Sequence, residues 1–122
     1  MSNNTSNNTT PAFVEDEKRL VMLAGDGKND ADDETCRTFI FRGETHTLGN
    51  ALRGVILLNP DVIFCGYSMP HPAEDQMFLR IQTVEGVSAQ DALRKGLKEL
   101  KEVCKVTKDR FEEAGGRIAK KI

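Results

Sequence analysis

"HTLGNALRGVILLNPDVIFCGYSMPHP", His46–Pro72, is the stretch on which the reading of the fold turns. In its first half Leu48, Ala51, Leu52, Val55 and Ile56 follow the i, i+3, i+4, i+7, i+8 rule, and Leu58 widens the stripe. This predicts an amphipathic helix with Thr47 as N-cap and Asn59-Pro60 as its stop. The opposite side, at 100° per residue, carries Asn50, Arg53, Gly54 and Leu57, with Gly49 at its margin. A solvated face ordinarily carries Lys, Glu and Gln. Each glycine inside a helix costs about 1 kcal/mol relative to alanine. The return for that cost is either close approach of a second protein element, positioned by Asn50 and Arg53, or simply good packing on the other side. The second half, "DVIFCGYSMP" (Asp61–Pro70), reads as a buried strand.

Outward from this stretch the elements alternate legibly. Downstream, "MFLRIQT" (Met77–Thr83) sets Met77, Leu79, Ile81 and Thr83 against Phe78, Arg80 and Gln82, a half-buried strand. "PHPAED" joins it to the preceding strand as a long hairpin loop. Upstream, "CRTFIFRG" (Cys36–Gly43) and "KRLVMLAG" (Lys18–Gly25) each read as a strand ending in glycine. Between them, "GDGKNDADDET" (Gly25–Thr35) has Asp26, Asp30 and Asp32 but fails the calcium-loop spacing. Lys28 stands third, and Ala31 stands sixth where glycine is needed. It reads as an acidic loop.

The last element opens on Ser88 and Asp91, a capping-box pair, and is expected to stop at about Ala114 before Gly115-Gly116. Leu93, Leu97, Leu100, Cys104, Thr107, Phe111 and Ala114 alternate spacings of four and three, a heptad seam broken by Thr107. The order β-β-α-β-β-α predicts an α+β fold: a four-stranded, mainly antiparallel sheet packed by two helices, the C-terminal one long. Domain bounds follow as a disordered polar tail at 1–17, the folded domain at 18–116 and a short basic tail at 117–122.

Length sharpens the reading. A helix from Ser88 to Ala114 extends about 40 Å, whereas the diagonal of four seven-residue strands is about 27 Å. The helix therefore overshoots its own sheet by about 10 Å while still carrying apolar seam residues. Either a partner surface covers the overhang or the N-terminal segment curls back over it. Charge is polarised as well. Residues 1–46 carry a net −4 and residues 88–122 a net +4 in a chain whose total is −2. This fits oriented docking and equally a solvated helix surface.

Several function classes are poorly supplied. His46 and His71 are the only histidines, and each sits beside turn or cap residues. A Cys65/His71 dyad lacks an orienting third group. No CxxC or HxxxH suggests zinc, no Gly-rich loop suggests phosphate, and one tyrosine with no tryptophan gives little for base stacking. Catalysis, cofactors, metals and sequence-specific nucleic-acid binding are not expected. Cys36, Cys65 and Cys104 read as reduced thiols. "MSNNTSNNTT" is not a secretory signal, and no run is apolar enough to span a membrane.

"HTLGNALR" (His46–Arg53), "NPDVIFCGYSMPHP" (Asn59–Pro72) and "LRIQT" (Leu79–Thr83) closely resemble the small α-like subunit of eukaryotic RNA polymerases. "FCGY" and "DALRKGLKEL" (Asp91–Leu100) look most like the version shared by polymerases I and III. The resemblance runs from about Thr38 to Glu113. It implies the dimerisation fold of the bacterial α subunit and a nuclear protein, nucleolus included, with no chemistry of its own. The implied partners are the large α-like subunit and, through that heterodimer, the two large catalytic subunits. The dimerisation motif maps onto Leu48, Gly49, Asn50, Leu52 and Arg53. With the helix start and the seam, the expected interface is His46, Thr47, Leu57, Leu93, Leu97, Leu100, Cys104 and Phe111 beside those five. An acidic residue commonly precedes this motif in the family; here Thr45 stands there, after Glu44. The equivalent polymerase II subunit and a free-standing homodimeric regulatory module are the alternatives.

Overall fold

The computed structural model describes residues 19–23 and 33–121, with side chains as far as Ile118. The polar tail at 1–17 and most of the acidic loop lie outside the described residues. The elements are β1 (Leu20–Met22), β2 (Cys36–Arg42), α1 (His46–Ile56), β3 (Val62–Ser68), β4 (Gln76–Thr83) and α2 (Ala89–Lys121), the anticipated order.

The strands form one sheet, β1-β2-β4-β3, in which every neighbouring pair is antiparallel. β4 is central and keeps the expected alternation: Met77, Leu79, Ile81 and Thr83 are all buried beneath the helices. Phe39 and Phe41 of β2 lie opposite Leu79 and Met77 on that same face. Leu52 and Ile56 of α1 and Ala89, Ala92 and Leu93 of α2 close the core from above. Thr83 is its one buried polar side chain among the described residues, and its hydroxyl donates to the carbonyls of Thr35 and Val87. That bond holds the turn into α2 against the start of β2. Gly43 ends β2 at φ +77°, a conformation that a side chain would strain.

Three expectations are corrected. β3 is not a buried strand. It lies at the sheet edge, where a register shift beside Ile63 leaves that side chain 61% exposed. Its inward positions, Cys65 and Tyr67, lie opposite Ile81 and Leu79 and pack on the core, as does Val62 at the start of the strand. The N-cap of α1 is Thr45 rather than Thr47, and its side chain makes no capping bond. α2 passes through Gly115-Gly116 and continues to Lys121, 33 residues or about 50 Å. Two glycines cost about 2 kcal/mol in a helix interior, and twenty-six preceding helical residues propagate across them. The start of α2 is as expected in part. The Ser88 hydroxyl accepts from the N–H groups of Gln90 and Asp91, while Asp91 pairs with Arg94 at 3.3 Å rather than closing the box.

Candidate partner interface

α1 sits on the sheet with its buried stripe turned from where periodicity alone puts it. Gly49, Leu52 and Ile56 are buried; Leu48 and Val55 are half-buried; Ala51 and Leu58 are exposed, Leu58 by 77%. On a helical wheel the core direction is displaced by about 60° toward Gly49. Gly49 is the reason. A Cβ built there would lie 2.7 Å from both Met77 Sδ and Tyr67 Cδ2. The missing side chain lets α1 settle onto β3 and β4 of its own chain, not onto a second protein. A Cβ at Gly54, by contrast, meets nothing within 4 Å. The two glycines therefore do different work: one admits the sheet, the other leaves a smooth outward surface. Beside Gly54, the rotation exposes an apolar strip of Leu48, Ala51, Val55 and Leu58 along the wheel.

The polar candidates hold α1 to the edge strand. Arg53 Nε donates to the Cys65 carbonyl at 3.3 Å, joining the middle of α1 to β3. His46 Nδ1 and the Tyr67 hydroxyl share a 3.1 Å hydrogen bond, with the rings edge to face at 5.6 Å between centroids. Thr47, Asn50, Arg53 and Leu57 remain exposed. Arg19 reaches Glu44 at 3.5 Å, so the residue before Thr45 has a salt link to the residue that precedes β1.

On α2 the seam divides. Leu93 is buried, Leu97 and Leu100 are half-buried against the core, and Gly96 admits Ile56 of α1, whose Cγ1 would stand 2.5 Å from a Cβ there. From Lys101 through Glu113 every residue is exposed. Cys104 and Phe111 belong to this projecting part, with Val103, Val106 and Ile118, and Phe111 is 78% exposed. Gly49, Leu52 and Leu93 are thus interior residues, whereas the other ten predicted residues reach the surface in whole or part. Sequence periodicity missed Tyr67, Ala51 and Leu58. Tyr67 carried a findable signal, being the one tyrosine, two residues beyond the inward Cys65 on the same strand.

Nothing at this site is arranged for thiol chemistry. Burial pushes the Cys65 thiol up to about 11, against a small downward pull from Arg53. A nucleophilic cysteine needs the opposite shift. His71, the other half of the suggested dyad, is exposed in the hairpin loop. Among the described residues no three His, Cys, Asp or Glu side chains gather as a metal site, and no helix is long and apolar enough to cross a membrane.

Residues 36–110 match the family model of the RNA polymerase Rpb3/Rpb11 dimerisation domain. Curated relatives include the DNA-directed RNA polymerases I and III subunit RPAC2 of Saccharomyces cerevisiae, 53% identical over 68% of this chain and 58% of that protein. The Danio rerio RPAC2 is 49% identical over 76% of this chain and 80% of its own length, and that of Schizosaccharomyces pombe 46% over 79% and 74%. The chain therefore spans little more than half the length of its Saccharomyces relative. Among solved structures, DNA-directed RNA polymerase subunit L of Thermoplasma acidophilum superposes with a TM-score of 0.62, covering 80% of this chain and 89% of that one. At 17% identity that likeness speaks for the fold alone. The chain belongs to the Rpb3/Rpb11 dimerisation-domain family and, within it, groups with the RPAC2 subunits of RNA polymerases I and III.

Proposed function

We propose that this chain is a non-catalytic assembly subunit of RNA polymerases I and III, in the nucleus and nucleolus. It pairs with the large α-like subunit, and the heterodimer is the platform on which the two catalytic subunits assemble. The observation that carries this reading is the unpartnered half of α2. About 30 Å of helix beyond Leu100 presents Val103, Val106, Phe111 and Ile118 to water. Apolar side chains of this size are worth roughly 1.5–3 kcal/mol each once buried. The partner's equivalent helix lies along this seam, and the strip beside Gly54 on α1 receives a second element of the partner. His46, Thr47, Asn50, Arg53 and Leu57 form the polar and apolar rim around it.

Co-expression with the large α-like subunit, followed by size-exclusion chromatography with light scattering, tests the reading. A one-to-one complex is expected, against self-association of the chain alone. A monodisperse homodimer indifferent to the large subunit would replace this reading with the free-standing regulatory module. Co-purification of subunits found only in polymerase II would move the assignment to that enzyme.

A further inference from the structure

Written as a heptad from a to g, the outer seam of α2 places Cys104, Phe111 and Ile118 at a, and Leu100, Thr107 and Ala114 at d. Thr107 does not interrupt it in the folded chain. Its hydroxyl donates to the Val103 carbonyl at 2.7 Å, so the polar atom is satisfied within the helix and asks nothing of a partner. Cys104, Thr107, Phe111 and Ile118 are all exposed.

The charges beside this seam are sorted by sign. Arg94, Lys101 and Lys108 stand at e, and Arg110 and Arg117 at g; neither position holds an acid anywhere in α2. All six acids of the helix, Asp91, Glu99, Glu102, Asp109, Glu112 and Glu113, fall at b, c or f, away from the seam. A merely solvated helix has no reason to keep its acids off these two positions, since mixed signs support one another all round. Arg94 and Lys108 have Asp91 and Glu112 beside them at 3.3 and 4.0 Å. Lys101, Arg110 and Arg117 have no carboxylate within ion-pair distance among the described residues. Lys101 finds none on its own helix: the residues three and four away are Leu97, Lys98, Cys104 and Lys105. From Lys101 to Arg117 the cationic flanks run about 24 Å.

We propose, resting on the reading that α2 pairs with a partner helix, that these flanks choose the partner. They take a helix of the large α-like subunit whose own seam-flanking positions carry Glu or Asp, and they reject a second copy of this chain. In a parallel pair g meets e of the other helix; in an antiparallel pair e meets e and g meets g. Either way, two copies set Lys and Arg against Lys and Arg beside an apolar seam, and like charges so placed are costly. An acid-flanked helix meets the same groups as ion pairs. A nucleic-acid strand fits worse. It would lay phosphates over Phe111 and Ile118, with Glu102, Asp109 and Glu113 repelling it from the back of the same helix.

Two lysine pairs, each seven residues apart on α2, provide the test at equal change of charge: Lys101→Glu/Lys108→Glu at e and Lys98→Glu/Lys105→Glu at b. All four lysines are exposed, so both variants should keep the melting curve of the unaltered chain. Titrated with the large α-like subunit at low salt, the e pair should lose affinity about ten-fold or more and the b pair about three-fold or less. The difference should shrink at about 1 M salt, where the Debye length is about 3 Å. Sedimentation of the lone chain reads rejection of a second copy. Lys101→Gln/Lys108→Gln should self-associate more tightly than the unaltered chain, and Lys98→Gln/Lys105→Gln should not. Equal losses from the two Glu pairs would mean unselective attraction, as to a nucleic acid, and overturn the proposal. An e pair without loss overturns it too, as does Lys101→Gln/Lys108→Gln self-associating no better than the unaltered chain. Those results leave a complex in place and the assembly reading standing. An unaltered chain that binds no large subunit removes that reading, and the proposal with it.

Discussion

Gly49 and Gly54 are five residues apart on one helix and answer to different neighbours. An alanine methyl at position 49 would sit 2.7 Å from Met77 Sδ and the Tyr67 ring, both packed on the core. Overpacking of that kind costs about 1–3 kcal/mol, offset by about 1 kcal/mol of helix propensity. Gly49→Ala should lower the urea midpoint of the chain and break the His46–Tyr67 contact. Gly54→Ala meets open space and should raise stability by up to about 1 kcal/mol. Its cost should fall on the complex, as a lower affinity for the large subunit by titration calorimetry; an unchanged affinity would mean that no partner backbone approaches there. Cys65 offers a pH test. Its thiol is held up at about 11 from an ordinary 9.0, so between these values the unfolded chain ionises while the folded chain keeps its proton. Stability contributed by this group is whole below pH 9 and is lost as pH rises toward 11, by up to about 2–3 kcal/mol. Cys65→Ala should flatten that part of the stability–pH curve. Iodoacetamide at neutral pH should label exposed Cys104 long before Cys65, and the partner should then protect Cys104.

Among the elements, α1 shows how far periodicity carries. The stripe Leu48, Ala51, Leu52, Val55, Ile56 announces a helix correctly, but it is wide enough to serve two surfaces, and sequence alone centres the core in its middle. What shifts the centre is a tertiary fact, the space that Gly49 leaves for Tyr67 and Met77. β4 was legible throughout because one face of a central strand is dry and the period is two. β3 was legible as a strand but not as an edge: its apolar text, Ile63 and Phe64 included, reads as buried, and only the order β1-β2-β4-β3 reveals that no described strand pairs with its outer side. The C-terminal overhang was foreseen from length alone; its run through Gly115-Gly116 was not, because local stop signals yield to a helix already propagating. Arg53 ties α1 to that edge through a 3.3 Å hydrogen bond while the residue itself stays exposed. Arg53→Glu should therefore cost the isolated fold only about 0.5–1.5 kcal/mol. It should weaken the heterodimer far more if the guanidinium meets the partner. Circular dichroism melts and a pulldown with the large subunit separate the two, and equal losses in both would make Arg53 a structural strut and no more.

At the scale of the whole molecule, the chain is a compact domain joined to a rod. The compact part ends where Leu100 leaves the core, since from Lys101 to Glu113 no side chain is buried. Intramolecular stability should accordingly reside almost wholly before that point. The rod adds helix propensity and, among the described residues, an i, i+4 charge contact between Lys108 and Glu112 at 4.0 Å, an exposed pair worth a few tenths of a kcal/mol. Truncation after Cys104 removes the rod, and it should leave the melting temperature within about 4–8 °C of the full chain, the shift that 1 kcal/mol produces in a domain of this size. The same truncation removes Val106, Phe111 and Ile118 and should abolish pairing with the large α-like subunit on a sizing column, while the truncated chain becomes more soluble because these exposed apolar side chains are gone. Phe111→Ser in the full chain is the gentler form of the same test: no change in melting, and a loss of affinity of ten-fold or more, about 1.4 kcal/mol or above, if Phe111 fills a pocket at the centre of the contact. A truncated chain that unfolds would show instead that the rod folds back on its own domain in solution, and the exposed helix would then be an internal support rather than the part of the molecule held out to a partner.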